Sequence, residues 1–314
     1  PQAPSLKPFF QEAMMKVLIV GSVAYDTVET AAGRVEYALG GAATYASVAA
    51  GFYAEPCLVG VVGEDFEKKH EEFLLSRGVD LSGLQHKPGK TFHWAGRYLP
   101  DMIGRETLDT QLNVFETFDP VLPGPLDSLE YVFLANIHPS LQKRVLDQAR
   151  NPRLIVLDTM DLWINTAKAE LEELFPRVDV LVINDEEARM LTGEYNILRG
   201  GEMLLQRVKK AVIVKRGEHG STLLTKEGMF VAPAYPVKDL VDPTGAGDSF
   251  AGALIGWLAR NGDLTLSGLK SALVRGAALA SFTVEGFSMD RLRKISAENV
   301  EQRVRELKAL VAFE

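Results

Sequence analysis

Short, nearly all-apolar runs alternate along the chain with segments in which apolar residues recur at helical spacing. The runs are KVLIVG (16–21), CLVGVVG (57–63), YVFLAN (131–136), LIVLD (154–158), VLVIN (180–184) and AVIVK (211–215). Strands that are apolar on both sides are typical of a sheet covered by helices on both faces. The intervening helical segments lie at 42–53, 65–78, 140–150, 166–175 and 185–192. The pattern predicts an α/β fold with a doubly wound, mostly parallel sheet flanked by helices.

Two segments break this alternation and read instead as exposed strands, at about 25–39 and 90–118. Along the second, an aromatic face alternates with a mixed one: Phe92, Trp94 and Tyr98 against His93, Ala95 and Arg97. We therefore expect a small peripheral β-sheet, which acts as a lid over the main sheet. Its aromatic face must be covered by a bound ligand, by a second copy of the chain in a homodimer, or by its own domain.

Composition excludes several classes of function. The net charge is −8 and the basic residues are spread along the 314-residue chain, so no nucleic-acid partner is expected. No apolar run reaches the length of a membrane span. The single cysteine, Cys57, cannot form an intrachain disulfide, which favours a reducing, cytoplasmic location. We interpret residues 1–14 as a loose extension and 15–314 as the functional domain.

The segment DLVDPTGAGDSF (239–250) combines small residues with the predicted start of a helix. The first N–H groups of a helix have no partner inside it, and Gly245, Ala246 and Gly247 leave them accessible, so this helix start can hold a phosphate. Asp248 in the first turn could then accept the proton of a hydroxyl that attacks the phosphate. We expect the field of the helix to lower the pKa of Asp248 and keep it ionised. Alternatively, Asp248 only complements the helix dipole and the glycines serve close packing.

Five ordered motifs resemble those of the ribokinase-like (PfkB) carbohydrate kinases. DPTGAGDSFAGAL (242–254) is similar to the C-terminal signature of that family, and LGGAATYASVAAGF (39–52) to its N-terminal signature. VGVVGEDF, NDEEA and VKRGEHGS resemble three further family motifs, at 59–66, 184–188 and 214–221. The resemblance implies a ribokinase-like fold and an ATP-dependent kinase that transfers the γ-phosphoryl group to a hydroxyl of a small sugar or sugar-like acceptor.

The resemblance also implies roles for individual residues. Asp248 would be the general base, next to an anion hole formed by the backbone of Gly245, Ala246 and Gly247. The residues that it implies for the nucleotide are Asn184, Glu187, Lys215, Gly217, Gly220 and Thr244, with Asn184 and Glu187 holding Mg²⁺ through water. Asp242 would bind a monovalent cation such as K⁺. On the residues alone, Asn184 reads better as a helix N-cap, and the two glycines of the 214–221 loop as an ordinary turn.

The acceptor side is less specific. The resemblance points to Asp26 and the diglycine Gly40 and Gly41 for acceptor hydroxyls, and Tyr45 stands where the family commonly has an asparagine. Two more candidates follow a buried strand, at the carboxyl edge where ligands bind in open α/β sheets: Asn136 and His138. A sugar or cyclitol stacked on the aromatic lid face is preferred. A nucleoside, with its base on that face and its ribose hydroxyls on the same aspartate, stays open.

Functions outside this family are less consistent with the residues. GSVAYD follows the first strand and is not the G-x-G-x-x-G pattern of a dinucleotide-dependent oxidoreductase. A non-catalytic nucleotide sensor would retain the scaffold and lose the base, yet Asp248 is present. One departure from the family pattern lies beside the anion hole, where Pro243 replaces a common threonine and lacks a backbone N–H.

Overall fold

The computed structural model describes residues 14–102 and 104–312. The predicted N-terminal extension, residues 1–14, lies outside the described residues except for Met14. The division of the chain into this extension and one kinase domain therefore stays a prediction.

The described residues form one sheet of nine strands and a separate sheet of four. The strands of the larger sheet are β1 (Lys16–Val20), β4 (Glu55–Val62), β5 (Asp80–His86), β8 (Tyr131–Leu134), β9 (Leu154–Asp158), β10 (Val180–Asn184), β11 (Ala211–Lys215), β12 (Ser221–Thr225) and β13 (Gly228–Ala232). Their order is β13-β12-β11-β10-β9-β8-β1-β4-β5, and only the pairs β11–β12 and β12–β13 are antiparallel. The predicted doubly wound, mostly parallel sheet is confirmed, although the sequence pattern did not predict strand β5.

Helices cover both faces of this sheet. They are α1 (Ala42–Ala50), α2 (Lys68–Ser76), α3 (Pro139–Gln148), α4 (Asp161–Thr166), α5 (Lys168–Leu174), α6 (Asp185–Thr192), α7 (Ile197–Leu205), α8 (Ala246–Asn261), α9 (Leu266–Thr283) and α10 (Ala297–Val311). Alternate residues of β1 enter two separate cores, Val17 and Ile19 on the side of α1 and α8, and Leu18 and Val20 on the other. Among the described residues, no helix is both long enough and apolar enough to cross a membrane.

The smaller sheet is the predicted lid. Its strands are β2 (Ala24–Thr30), β3 (Gly33–Gly40), β6 (Phe92–Tyr98) and β7 (Arg105–Gln111), in the order β3-β2-β6-β7. The strand predicted to run to residue 118 ends earlier, and Asn113–Thr117 forms a 3₁₀ turn. Asp26 pairs with Trp94, and Tyr98 with Arg105. Because paired residues share a face, these four side chains lie on one face of the lid.

The lid and the start of α8 meet above the carboxyl ends of the parallel strands. Strand β1 pairs with β4 on one side and with β8 on the other, so the strand order reverses direction at β1. Open α/β sheets bind ligands at such a switch point, beyond the carboxyl ends of the strands. Helices α1 and α8 pack closely there: a Cβ on Gly252 would overlap the backbone of Ala46, and one on Gly256 would meet the carbonyl of Ala50 at 2.9 Å. This contact holds the start of α8 beside the diglycine that precedes α1.

Candidate active site

Gly245 opens helix α8 in a conformation that only glycine adopts easily. It is the N-cap, with a φ of 75°. A Cβ at this position would fall on the ring of Tyr45, which is 2% exposed. Tyr45, predicted to face the acceptor, therefore packs its ring beneath Gly245. Burial raises the pKa of the Tyr45 phenol well above its usual value, and the nearby charges of Asp26, Asp242 and Asp248 add to this rise.

Two backbone amides at this helix start are available to an anion. The N–H of Ala246 donates to the Pro243 carbonyl at 3.2 Å, and the N–H of Thr244 donates to Asp242 Oδ1 at 2.9 Å. In the described part of the chain, nothing accepts from the N–H of Gly245 or Gly247. The predicted set of three free amides is thus reduced to two, because Ala246 already closes a turn.

Lys215, the last residue of β11, brings a positive charge to the same place. Its Nζ lies 3.0 Å from the position that a Cβ on Gly247 would occupy. Both carboxylate oxygens of Asp158, at the end of β9, are 3.3 Å from this Nζ. Burial alone would lower the pKa of Lys215, but the carboxylates of Asp158, Glu187 and Asp248 outweigh it and raise that pKa. The lysine therefore stays charged beside the helix start.

The prediction that the helix field lowers the pKa of Asp248 is wrong. Burial raises this pKa to about 7, and the negative charge of Asp158 adds to the effect. Lys215 and Arg105 act in the opposite direction without cancelling it. Desolvation of a carboxylate outweighs the field of the helix at a position as enclosed as this one. A carboxyl group with a pKa near neutrality is well matched to accepting and releasing a proton.

Asn184 and Glu187 form a reciprocal capping box at the start of α6. The Glu187 N–H donates to Asn184 Oδ1, and the Asn184 N–H and Nδ2 donate to the two carboxylate oxygens of Glu187, each at 2.8 Å. The N-cap interpretation is thus confirmed. Burial raises the pKa of Glu187 to about 7, with Lys215 opposing. Each carboxylate oxygen keeps a second lone pair, so the cap leaves Glu187 able to bind a water ligand of a metal ion.

Asp26 stands at the acceptor side of the same cluster. Its carboxylate packs directly on Gly40, where a Cβ would overlap it. Burial and the charge of Asp242 raise the pKa of Asp26 to about 7, although the Gly41 backbone donates a hydrogen bond to it. Trp94, its partner on the lid, lies over Gly96, and the Trp94 Nε1 donates to Thr107 Oγ1 at 3.4 Å.

Asp242 has one carboxylate oxygen without a partner. Oδ1 accepts from Thr244, whereas Oδ2 is buried and no described group lies within hydrogen-bonding geometry of it. Burial raises the pKa of this carboxyl, although the Ser288 backbone is near enough to lower it. An orphaned buried carboxylate oxygen is costly unless a cation or a proton satisfies it.

Asn136 and His138 are engaged in other contacts. Asn136 Oδ1 accepts from Trp163 Nε1 at 2.8 Å, and the His138 ring caps α3 by accepting from the Ser140 N–H at 3.2 Å. Within the described ranges, no contact joins either residue to Asp26 or Asp248.

The two predicted nucleotide-binding glycines lie in the turn after β11, close in sequence to Lys215. Gly217 begins a 3₁₀ turn and has open space where a side chain would project. A Cβ on Gly220 would overlap the carbonyl of Ala232, so this glycine serves the packing of β12 against β13.

Sequence reasoning missed Asp158, Tyr98 and Arg105 as members of the site. Asp158 carried a signal, since it ends the apolar run LIVLD at the carboxyl edge of the sheet. Tyr98 was seen only as part of an aromatic face, yet its hydroxyl accepts from Thr244 Oγ1 at 3.3 Å. Arg105 offered no signal, because its role depends on the pairing of β7 with β6.

One helix start beneath the lid thus brings together a half-buried carboxyl, two unengaged amides and a lysine, and such an arrangement is suited to phosphoryl transfer to a hydroxyl group. Residues 14–291 match the model of the pfkB family of carbohydrate kinases, and the chain belongs to this family. It is an enzyme that phosphorylates an alcohol group, in a family whose members act on sugars or nucleosides.

Relatives and solved structures agree with this assignment. The chain is 31% identical to a cytidine kinase of Thermococcus kodakarensis over 79% of its own length and 90% of the relative. It is 30% identical to an ATP-dependent ribose-1-phosphate kinase of Halopiger xanaduensis, over 72% and 74% of the two chains. A putative ribokinase II from E. coli, solved with ATP and Mg²⁺, has a TM-score of 0.78 at 19% identity, covering 93% of this chain and 100% of that one. The ribokinase-like fold is thereby confirmed.

Proposed function

We propose that this protein is an ATP-dependent kinase that phosphorylates a hydroxyl of a nucleoside, with Asp248 as the general base. The observation that carries the proposal is the placement of the half-buried Asp248 carboxyl beside the unengaged amides of Gly245 and Gly247. Lys215 Nζ, next to Gly247, adds a fixed positive charge for the phosphoryl oxygens.

The transfer would proceed in one displacement. The acceptor oxygen forms a bond to the γ-phosphorus while its proton passes to Asp248, and the bond from the γ-phosphorus to the bridging oxygen breaks to release ADP. The N–H groups of Gly245 and Gly247 donate to the phosphoryl oxygens. The proton leaves Asp248 to solvent after the product departs, which a pKa near 7 permits.

The nucleotide and its metal fit the donor groups on the other side of Asp248. Mg²⁺ is usually held through one or two carboxylates, water and substrate phosphates. Glu187, oriented by Asn184, offers such a carboxylate next to Lys215, and the charges of Glu187 and Lys215 influence each other's pKa. Mg²⁺ bound there would neutralise charge on the phosphates. A crystallised neighbour of the same fold contains ATP and Mg²⁺, which supports this pair of ligands.

The acceptor class follows from Asp26 and Trp94, which share one lid face. A buried carboxylate can accept hydrogen bonds from two adjacent hydroxyls, as on a ribose ring. The Trp94 ring, half-buried over Gly96, offers an aromatic surface for a nucleobase. The cytidine kinase among the relatives favours the same class. We therefore place a nucleoside first and a free sugar or cyclitol second.

Asp242 fits a monovalent cation. Its buried Oδ2, which lacks a partner among the described residues, is the kind of oxygen that K⁺ would satisfy. The loop that carries Asp242 continues directly into the anion hole, so an ion there would stabilise the conformation of Thr244 and Gly245. We expect turnover to rise when Na⁺ in the assay is replaced by K⁺.

ADP release tests the proposed function. The purified protein would be given ATP, Mg²⁺ and K⁺ with cytidine, inosine, ribose or myo-inositol, and the Asp248→Asn variant would serve as the blank. Turnover with a nucleoside that is absent in the variant supports the proposal, and turnover with ribose or myo-inositol alone moves the acceptor to the second class. ATP binding without turnover on any acceptor would favour a nucleotide-sensing protein and contradict the proposal.

The lid also offers a surface for a second copy of the chain. Tyr37 on β3 is 60% exposed and stacks on His93 with 4.5 Å between ring centroids, on the lid face away from Asp26. We infer a homodimer through this outer face. Light scattering after size exclusion tests it: Tyr37→Lys should yield a monomer where the wild type is a dimer, and a monomeric wild type would contradict it.

A further inference from the structure

Two arginines occupy opposite faces of the lid. Arg97 on β6 pairs with Glu29, with Nε 2.9 Å from Oε1, and this pair lies on the outer face. Arg105 on β7 pairs in register with Tyr98 and therefore lies on the inner face, toward the main sheet. It forms a long ion pair with Asp161 at the start of α4, with Nη2 and Oδ1 separated by 3.8 Å.

Tyr98 links Arg105 to the anion hole. The Tyr98 hydroxyl accepts from Thr244 Oγ1 at 3.3 Å. Burial raises the pKa of this phenol, and the charge of Arg105 lies close enough to oppose that rise. Thr244 immediately precedes Gly245, so the guanidinium lies one side chain away from the start of α8. In agreement, the charge of Arg105 acts on Asp248 and opposes the rise of its pKa. The lid thus carries a cation to the place where the phosphoryl group would be transferred.

The Arg105–Asp161 pair is weak enough to be exchanged. The Arg105 side chain is 43% exposed and that of Asp161 is 59% exposed. Ion pairs at such exposure contribute little to stability because water screens them. A guanidinium binds two oxygens of a phosphoryl group in a planar, bidentate arrangement, which is stronger than one long contact to a carboxylate.

We propose that Arg105 is a catalytic residue supplied by the lid, whose guanidinium leaves Asp161 to bind the oxygens of the phosphoryl group during its transfer. The proposal rests on the proposed kinase function and adds a requirement to it. Lys215 and the two amides supply a fixed part of the positive environment, and Arg105 completes it only while the lid is closed. Closure of the lid and stabilisation of the transferred charge therefore depend on the same side chain.

Calorimetric titration tests this contact without any acceptor. The protein would be titrated with ADP and Mg²⁺, with and without aluminium fluoride, an anion that imitates a phosphoryl group in transfer. The wild type and the outer-face control Arg97→Gln should bind ADP at least tenfold more tightly with fluoride. Arg105→Gln should lose this gain and keep its affinity for ADP alone. An equal gain in Arg105→Gln, or no gain in the wild type, would overturn the proposal.

Turnover separates this proposal from the proposed function. With the best acceptor of the panel, Arg105→Gln should lower kcat by roughly 10²-fold, and Arg105→Lys should lose less because it keeps the charge but not the bidentate contact. Arg97→Gln should retain the wild-type kcat. Equal kcat in all variants of an active enzyme contradicts only the role of Arg105. A wild type that turns over no acceptor while the fluoride gain depends on Arg105 contradicts only the kinase function.

Discussion

The start of helix α8 and the lid sheet meet at the same crevice but are built in opposite ways. At the helix start, Gly245 rests on the Tyr45 ring and Gly252 touches the Ala46 backbone, so the amides have one conformation available. The lid is four strands wide among the described residues, and its edge strand β7 is exposed along its whole length. Strand β2 is buried along nearly all of its length, whereas β6 reaches the start of α8 through the contact of Tyr98 with Thr244.

We expect the helix start and the lid to have different roles in the reaction because of this difference in packing. Groups that must be preorganised, namely the proposed base and anion hole, lie in the densely packed part, where burial also raises the pKa of Asp248 to about 7. Groups that must admit an acceptor and exclude water lie on the lid, whose edge strand β7 has few buried contacts and can open at low cost. We therefore expect changes at the helix start to lower kcat and changes on the lid to raise KM, with Arg105 as the exception.

The largest effect is expected at Gly245. An alanine there must both adopt a φ of 75° and displace the Tyr45 ring, so Gly245→Ala should distort the anion hole and lower kcat by roughly 10²-fold or more. Gly193 is a matched control, since its φ is 73° and it has open space around it. Gly193→Ala should cost about 1 kcal/mol in the free energy of unfolding and leave kcat unchanged. Equal kinetics in the two variants would show that the Tyr45 contact is unimportant.

A smaller effect, mostly on KM, is expected at Trp94. Loss of one aromatic stacking surface typically costs about 1–3 kcal/mol, so Trp94→Leu should raise the KM for a nucleoside by roughly tenfold or more. Trp94→Phe should restore most of the affinity, and the KM for ATP should not change in either variant. Steady-state kinetics with both substrates measures this. A fall in kcat at constant KM would place Trp94 in the rigid part of the site instead.

The smallest effect concerns stability and pH. The folded-state pKa of Asp26 is about 7, above its ordinary value of 3.8, so the folded protein binds a proton that the unfolded chain has released. Stability is therefore lost as pH rises from about 4 to 7. Asp26→Asn removes this loss and should raise Tm by about 3 °C or more at pH 8, with little change at pH 4. Thermal unfolding at the two pH values checks this, and an equal shift at both would contradict it.

Local sequence patterns predicted most of the fold and part of the candidate site. Apolar runs located the strands because the sheet is covered on both faces, and the helix-start chemistry of 242–248 follows directly from its residues. Strand β5, DLSGLQH, was missed because it lies at the edge of the sheet and is only partly buried. Helix α7 carries two glycines, Gly200 and Gly201, which mask its helical pattern.

The features of the site that could not be predicted depend on contacts between segments that are distant in the sequence. The pKa of Asp248 reflects its burial and the charge of Asp158, and neither can be read from the residues around it. Tyr45 occupies a position that suggested acceptor binding, yet the packing of α1 on α8 turns its ring under Gly245. Arg105 lies at the site because β7 pairs with β6 in a register that places it opposite Tyr98, and the residues around Arg105 do not reveal this pairing. The homodimer and the cytoplasmic location stay predictions.

The central claim is that Asp248 accepts the proton of the acceptor hydroxyl at this helix start. The most direct measurement compares kcat and ATP affinity in the wild type, in Asp248→Asn and in Glu298→Gln, which changes a first-turn carboxylate on the distant helix α10. We predict that Asp248→Asn lowers kcat by roughly 10² to 10⁴-fold with unchanged ATP affinity, and that Glu298→Gln changes neither. Wild-type turnover in Asp248→Asn would contradict the account.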